Sequence, residues 1–233
     1  CLHLMKLNKP EMILIDLDGT LVDSVPDLTY CVDKTMEALG MTPRGEARVR
    51  LWVGNGVVRL VHRALTDEMD GQADPELFGR ALALFKDLYA GHTCVDSHLY
   101  TGVREGLALL KAAGYKLGCV TNKPAQFTEP LLEKMGIRDN FSIVISGDTL
   151  PQQKPHPEPL LHAARFFDVA PEQALMVGDS ESDVKAARAA GFKIVCMSYG
   201  YNHGRDIRAA QPDAVIDSLV ELPPLFNANR AVA

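Results

Sequence analysis

Four carboxylates, one hydroxyl and one ammonium stand at the ends of short apolar runs, where folding can gather them. Asp16 and Asp18 come at the end of Met12-Ile-Leu-Ile-Asp-Leu17, Thr121 and Asn122 follow Lys116-Leu-Gly-Cys-Val120, and Asp179 follows Ala174-Leu-Met-Val177 and Gly178, with Asp183 a turn further on. Lys154 stands in Lys-Pro-His-Pro-Glu-Pro159, beyond the run Phe141-Ser-Ile-Val-Ile145. Two positions apart, Asp16 and Asp18 share one face of a strand, and past its end the chain can turn the second acid over the site. Three carboxylates brought together repel strongly unless a cation neutralises them. An all-oxygen set, partly hydrated and completed by a substrate phosphate, suits Mg2+; no cysteine or histidine accompanies the acids, which disfavours zinc. Thr121, its neighbouring amides and Lys154 can supply hydrogen bonds and positive charge to phosphoryl oxygens.

Plain structural roles compete with each of these. Asp18-Gly19 has the composition of a turn, and a lone lysine such as Lys154 is ordinarily a surface residue. Asp183 suits a cap for a helix from Val184 onward. Thr121 suits a strand-end threonine bonded locally. His98 and His156 read as loop residues without a chemical role.

The elements that must position these residues are legible in the patterning. The runs above, together with Phe192-Lys-Ile-Val-Cys-Met197, are short and nearly all apolar, as strands buried on both faces are. Helical patterns over 103–113, 127–135, 157–167 and 183–190 alternate with them, the first, second and fourth closed by glycines at 114, 136 and 191. Strand and helix in alternation give an α/β fold, a doubly wound, Rossmann-like parallel sheet. Such sheets bind ligands at the carboxyl ends of their strands, where the six groups fall. Residues 26–91 break the alternation with amphipathic helices over 27–39, 44–53, 56–65 and 75–90. The expected organisation is a core of 1–24 and 95–233 with an inserted α-helical cap over 25–94 that selects substrate. The segment 222–233 reads as a surface tail.

Composition sets limits. The 233 residues are 47% hydrophobic and 23% charged, ordinary for a globular protein with a sizeable core. No apolar run approaches the ~20 residues of a membrane span, and the first ten residues do not read as a signal peptide; Met5 is a candidate start. Five scattered cysteines, without a C-x-x-C pair, fit a reducing, cytoplasmic compartment better than a disulfide or zinc framework. A formal charge of −6 argues against a nucleic-acid surface. It leaves a small anionic substrate open, because a bound cation can reverse the field of a cleft.

Asp16-Leu-Asp-Gly-Thr-Leu-Val-Asp-Ser24 resembles the first motif of the haloacid dehalogenase superfamily. Thr121-Asn-Lys, Lys154-Pro and Gly178-Asp-Ser-Glu-Ser-Asp183 continue the match in that family's order, over nearly the whole chain. The resemblance implies a phosphomonoester hydrolase. Asp16 is then the nucleophile, forming an aspartyl-phosphate, and Asp18 the acid and later the base. Thr121 and Lys154 hold the phosphoryl group. Mg2+ sits on Asp16, Asp179 and the backbone carbonyl of Asp18, while Asp183 supports the metal through water or holds Lys154. An acid at 18 sets the chain apart from true dehalogenases, and the cap lysines, Lys34 and Lys86, lack the setting of the Schiff-base phosphonate hydrolases. Val22-Asp-Ser-Val-Pro-Asp-Leu28, Trp52-Val-Gly-Asn-Gly56 and Lys154-Pro-His-Pro-Glu-Pro159 are similar to the bacterial phosphoglycolate phosphatase branch, although Thr101 stands where that branch has proline. The substrate expected is thus a small phosphorylated metabolite, 2-phosphoglycolate before others, with a sugar phosphomutase or sugar-phosphate phosphatase as the alternative and a non-catalytic binding protein weighed against by the intact acid set. Asn122 joins the substrate contacts. Gly54, Asn55 and Gly56 can offer backbone amides to a substrate carboxylate, with Arg59 or Arg63 on the following helix as the cation; the same loop also reads as a plain turn between helices.

Overall fold

The computed structural model describes residues 7–226; the candidate start at Met5 and residues 227–233 lie outside them. Of the expected surface tail 222–233 the described part is not surface, because Leu222, Leu225 and Phe226 are buried in the core. In chain order the elements are β1 (Met12–Ile15), β2 (Val22–Asp23), α1 (Val25–Ala38), α2 (Glu46–Trp52), α3 (Gly56–Thr66), α4 (Pro75–Gly91), β3 (His98–Leu99) and α5 (Val103–Ala112). There follow β4 (Lys116–Val120), α6 (Ala125–Lys134), β5 (Ile143–Ile145), α7 (Glu158–Phe167), β6 (Ala174–Gly178), α8 (Glu181–Ala190), β7 (Lys193–Met197) and β8 (Ala214–Ile216).

Six strands form one parallel sheet in the order β5-β4-β1-β6-β7-β8. All four side chains of β1 are fully buried, and successive ones enter different cores. Ile13 and Ile15 join the layer of α5 and α6, whereas Met12 and Leu14 join that of α7 and α8. Both faces of the central strand are thus covered, which is why its run is apolar without alternation. The chain winds from β1 through β4 to β5 on one side, then crosses back to β6 on the other. The reversal falls at β1, and a crevice opens there at the carboxyl ends of the strands.

Four helices, α1 to α4, lie between β2 and β3 and share a third buried cluster that includes Val49, Trp52, Leu60 and Phe85. Phe127 and Tyr201, from the sheet-bearing part, pack into the same cluster. The two crossings of the chain pair as a short antiparallel ribbon, Val22 opposite Leu99 and Asp23 opposite His98. Asp27, on the first turn of α1, takes backbone N–H bonds from Val95, Asp96 and Ser97 at 2.8–3.2 Å and the Ser97 hydroxyl at 2.5 Å. His92 Nε2 stands 3.3 Å from its carboxylate. The two crossings are therefore bound to each other by side chain as well as by backbone.

The structure adds to the expected elements and trims them. β8 and the β2–β3 ribbon have only three and two residues per strand, too short to carry periodicity. The first strand ends at Ile15 rather than Leu17, because Leu21 and Val22 N–H bond back to the Leu17 carbonyl in a tight turn. The helix at 181–190 starts two residues before the expected 183, since Ser180 and Asp183 form a reciprocal capping box. No helix among the described residues is long and apolar enough to cross a membrane.

Candidate active site

Each sheet strand at the crevice delivers one part of the site. Asp16 follows β1, its N–H bonded to the Val177 carbonyl at 2.9 Å, and its carboxylate accepts from Leu17 N at 2.7 Å. Asp179 follows β6 and accepts the Thr20 hydroxyl at 2.7 Å and the Tyr201 N–H at 2.5 Å. Side chains on Gly19 or Gly200 would come within 2.2 or 2.1 Å of Asp179, so both glycines are required by close approach. Carboxylate oxygens of Asp16, Asp179 and Asp183 lie within 4.8 Å of one another.

Lys154 crosses this cluster, buried to 3% exposure. Its ammonium donates to Val120 O at 2.9 Å and Asp183 at 2.7 Å and pairs with Asp16 at 2.9 Å, engaging all three of its donors. Asp183 is equally saturated: one oxygen takes Lys154, the other the N–H groups of Asp179 and Ser180 and the Ser180 hydroxyl. Of the roles open to Asp183, holding Lys154 and capping α8 are the two this geometry displays.

Burial sets the electrostatics. It pushes the Asp16 carboxyl up to about 7, with Lys154 opposing and Asp183 adding to the shift. Asp179 is raised well above the ordinary carboxylate value by burial first and then by Asp16 and Asp183. Burial works against the Lys154 ammonium too, but Asp16 and Asp183 outweigh it and push its pKa above the usual lysine value. Ionising all three acids together calls for more positive charge than Lys154 brings. The donor set is oxygen only, so the residues present fit a hard divalent cation.

The Asp18 carboxylate points elsewhere. It takes Lys123 Nζ on both oxygens, at 2.9 and 3.0 Å, and the Ser24 hydroxyl at 2.5 Å. It adds no carboxylate to the cluster of three, so a place for Asp18 in a metal set rests on its backbone carbonyl. Lys123 had no role in the sequence reading, although it completes Thr121-Asn-Lys. It is 4% exposed, and its ammonium also lies 5.0 Å from the centre of the Tyr89 ring on α4. A lysine beside two strand-end polar residues looks like surface until the fold buries it.

A cavity of about 30 Å³ lies between the crevice and the helical insert, lined by Asp16, Asp18, Thr121, Asn122 and Lys123 from the sheet side. Leu28, Val53, Gly54, Gly56, Val57 and Leu60 line it from the insert. Thr121 accepts the Lys123 N–H at 3.1 Å, the local bond typical of a strand-end threonine, and its hydroxyl still faces the cavity beside Asp16. Asn122 bridges the two sides, donating to Gly54 O at 3.1 Å and Lys154 O at 2.9 Å. Gly56 has φ +82°, and a Cβ there would meet Asn122 O at 3.2 Å, so the loop lies flush against the core.

Two expected contacts are corrected. Asn55 does not line this cavity: its side chain accepts from Arg63 at 2.8 Å and its carbonyl from Gln153 at 3.3 Å. Arg59 is absent from the lining as well, because its guanidinium donates to the carbonyls of Met69 at 2.7 Å and Gly71 at 3.4 Å. Arg63 is spent the same way, on Trp52 O at 2.5 Å, Met69 O at 2.8 Å and Asn55. Unpaired carbonyls of a short helical insert draw in the long cations of the same insert.

The family model for haloacid dehalogenase-like hydrolases matches residues 13–197, which include every site residue above except Gly200 and Tyr201. The chain belongs to this family. A phosphoglycolate phosphatase from Nitrosococcus oceani is 66% identical over 221 residues, covering 95% of this chain and 98% of its own. One from Thiobacillus denitrificans is 47% identical over 211 residues, covering 91% and 93%. The crystal structure of a predicted phosphoglycolate phosphatase from Haemophilus somnus superposes with a TM-score of 0.89 at 35% identity, over 94% of this chain and 99% of that one. As a haloacid dehalogenase-like hydrolase the protein is an enzyme, and members of the family use a metal ion, for which the cluster of three acids is the available place.

Proposed function

We propose that this hydrolase is a Mg2+-dependent 2-phosphoglycolate phosphatase working through an aspartyl-phosphate on Asp16. The observation that carries the reading is the Asp16 carboxylate: it faces the cavity, held by Leu17 N–H and Lys154, at the centre of the switch point. The N. oceani relative, aligned over nearly the whole chain, bears the name of the same activity.

An Asp16 oxygen attacks phosphorus while the bond to the leaving oxygen breaks, and Asp18 gives that oxygen a proton. Asp18 then takes a proton from water, whose oxygen attacks the phosphoryl group; phosphate leaves and Asp16 is restored. Thr121 orients the phosphoryl oxygens, and Lys154, anchored on Val120 and Asp183, turns its contact with Asp16 toward them once Asp16 is phosphorylated. Asp16, Asp179 and the Asp18 carbonyl would hold Mg2+, with Asp183 acting through Lys154, and the ion would supply charge neutralisation for the acids and the incoming dianion. Gly54 and Gly56 bring backbone to the cavity beside the substrate, and Asn122 ties that loop to the core. The helical insert, residues 25–94, acts as the cap that excludes water and chooses the leaving group. Four buried or half-buried thiols, Cys31, Cys94, Cys119 and Cys196, are unpaired, which suits a cytoplasmic enzyme.

The test is phosphate release by the purified protein over a panel of small phosphomonoesters with Mg2+. Phosphoglycolate should give the highest kcat/KM. A hexose phosphate in that place returns the assignment to the sugar phosphatases or phosphomutases of the family.

A further inference from the structure

The two ends of the cavity carry different chemistry. Asp16, with Lys154 behind it, defines the phosphoryl end, since on the proposed reading in-line attack starts from Asp16. Asp18, on the proposed reading, stands at the leaving oxygen. A phosphate ester whose alcohol carbon bears a carboxylate places that second anion two bonds from the leaving oxygen, on the Asp18 side. The walls there, Leu28, Val53, Val57 and Leu60, can pair nothing with a carboxylate, and an unpaired charge in such surroundings is strongly unfavourable.

Lys123 is the one cationic residue among those lining the cavity. Its ammonium lies against Asp18, at the leaving-group end. Its close contacts are to both Asp18 oxygens, and the buried Tyr89 hydroxyl, which has no other partner, is the weaker neighbour that a substrate carboxylate would replace at the third donor. The Tyr89 ring backs the ammonium, its centre 5.0 Å away, and fixes its place. Arg59 and Arg63, the cations on the helix after the glycine loop, are committed to carbonyls of the insert.

We propose that Lys123 is the specificity-determining residue of this enzyme, its ammonium receiving the carboxylate of a short 2-phosphooxy acid. The inference rests on the phosphoglycolate reading and deepens it by naming the group that tells the acid from a neutral ester of equal size.

The experiment compares phosphoglycolate with ethyl phosphate, of the same carbon count without the carboxylate, in the wild type and in Lys123→Met. For the variant, KM for phosphoglycolate should rise on the order of 10²-fold, as for loss of one partner of a buried charge pair. KM for ethyl phosphate should move by no more than about threefold, since that ester brings no charge for Lys123 to meet. Equal effects on both substrates would mean that Lys123 only positions Asp18, and the inference fails. A wild type that does not favour phosphoglycolate removes the functional reading instead; a wild-type preference that survives in Lys123→Met removes the inference alone. Should Lys123→Met not fold, a crystal structure of Asp16→Asn with bound phosphoglycolate decides. A substrate carboxylate oxygen about 3 Å from Lys123 Nζ supports the assignment. A carboxylate held by the Gly54–Gly56 amides, away from Lys123, overturns it.

Discussion

At the scale of single residues, two aspartates separated by one leucine are put to different uses by their neighbours. Asp16 faces Lys154 and the acid cluster, whereas Asp18 faces Lys123 and Ser24. Replacing the proposed nucleophile, Asp16→Asn, should lower kcat by on the order of 10⁴-fold or more with the circular dichroism unchanged; a variant keeping a tenth of wild-type turnover would end the aspartyl-phosphate proposal. Asp18→Ala should slow alkyl phosphates at least about tenfold more than nitrophenyl phosphate, whose leaving group needs no proton. Equal losses would strip Asp18 of the acid role. The buried acids also give metal binding a definite pH dependence. With the Asp16 pKa raised from 3.8 to about 7, its contribution to metal-free stability is fully present below 3.8 and lost as pH rises through about 7. The melting temperature of the chelated protein should therefore fall between roughly pH 4 and pH 7 and level off above, and Mg2+ should restore it most at the upper end. Activity should vanish with chelator and return with Mg2+. Full turnover in excess chelator, or a larger Mg2+ effect on melting at the acidic end, would count against the cluster as the metal site.

Among the elements, the one with most influence on the site outside the sheet is α1, because its first turn holds both crossings of the chain. Asp27 is fully buried, which alone would raise its pKa, yet the Ser97 hydroxyl and the N–H groups of residues 95–97 hold it below the usual carboxylate value. Asp27→Ala leaves those donors without an acceptor and should cost about 3 kcal/mol at neutral pH. The sign follows from the lowered pKa: the contribution is present above 3.8 and disappears as pH falls through the folded value, so mutant and wild type should converge in acid. Denaturant melts at pH 7 and near pH 3 measure this; a gap that widens on acidification would contradict it. The ribbon of β2 and β3 that Asp27 reinforces lay beyond sequence reading, since two-residue strands have no period to detect. The sheet strands were legible because burial on both faces leaves an unbroken apolar run, as in β1 and β6.

At the scale of the molecule, the insert converts an open crevice into a bounded cavity. The cavity is tight, with about 30 Å³ of free space, and the insert's share of the walls is apolar apart from Gly54 and Gly56. A hexose phosphate brings several hydroxyls that these walls cannot pair, whereas phosphoglycolate brings one carboxylate. The ratio of kcat/KM for phosphoglycolate to that for glucose 6-phosphate should exceed about 100, as for a polar group left unsatisfied in a closed site. A ratio near unity would show that the insert does not select.

The sequence by itself determined the acid set, the order in which strands present it and the helical character of residues 26–91, because each depends on local pattern: apolar runs, their polar ends and helical periodicity. It placed Asp16, Asp18, Thr121, Asn122, Lys154, Asp179 and Asp183 at one sheet edge, and they meet there. Only the tertiary structure decided which cation remains for a substrate. Arg59 and Arg63 were the natural choice from their position after the glycine loop, but carbonyls of Trp52, Met69 and Gly71 claim them. Lys123 was given no role by the sequence, and packing of α4 against α6 encloses it under Tyr89 and beside Asp18. Local pattern says what a side chain is; which partners remain to it is settled by contacts between segments distant in the chain.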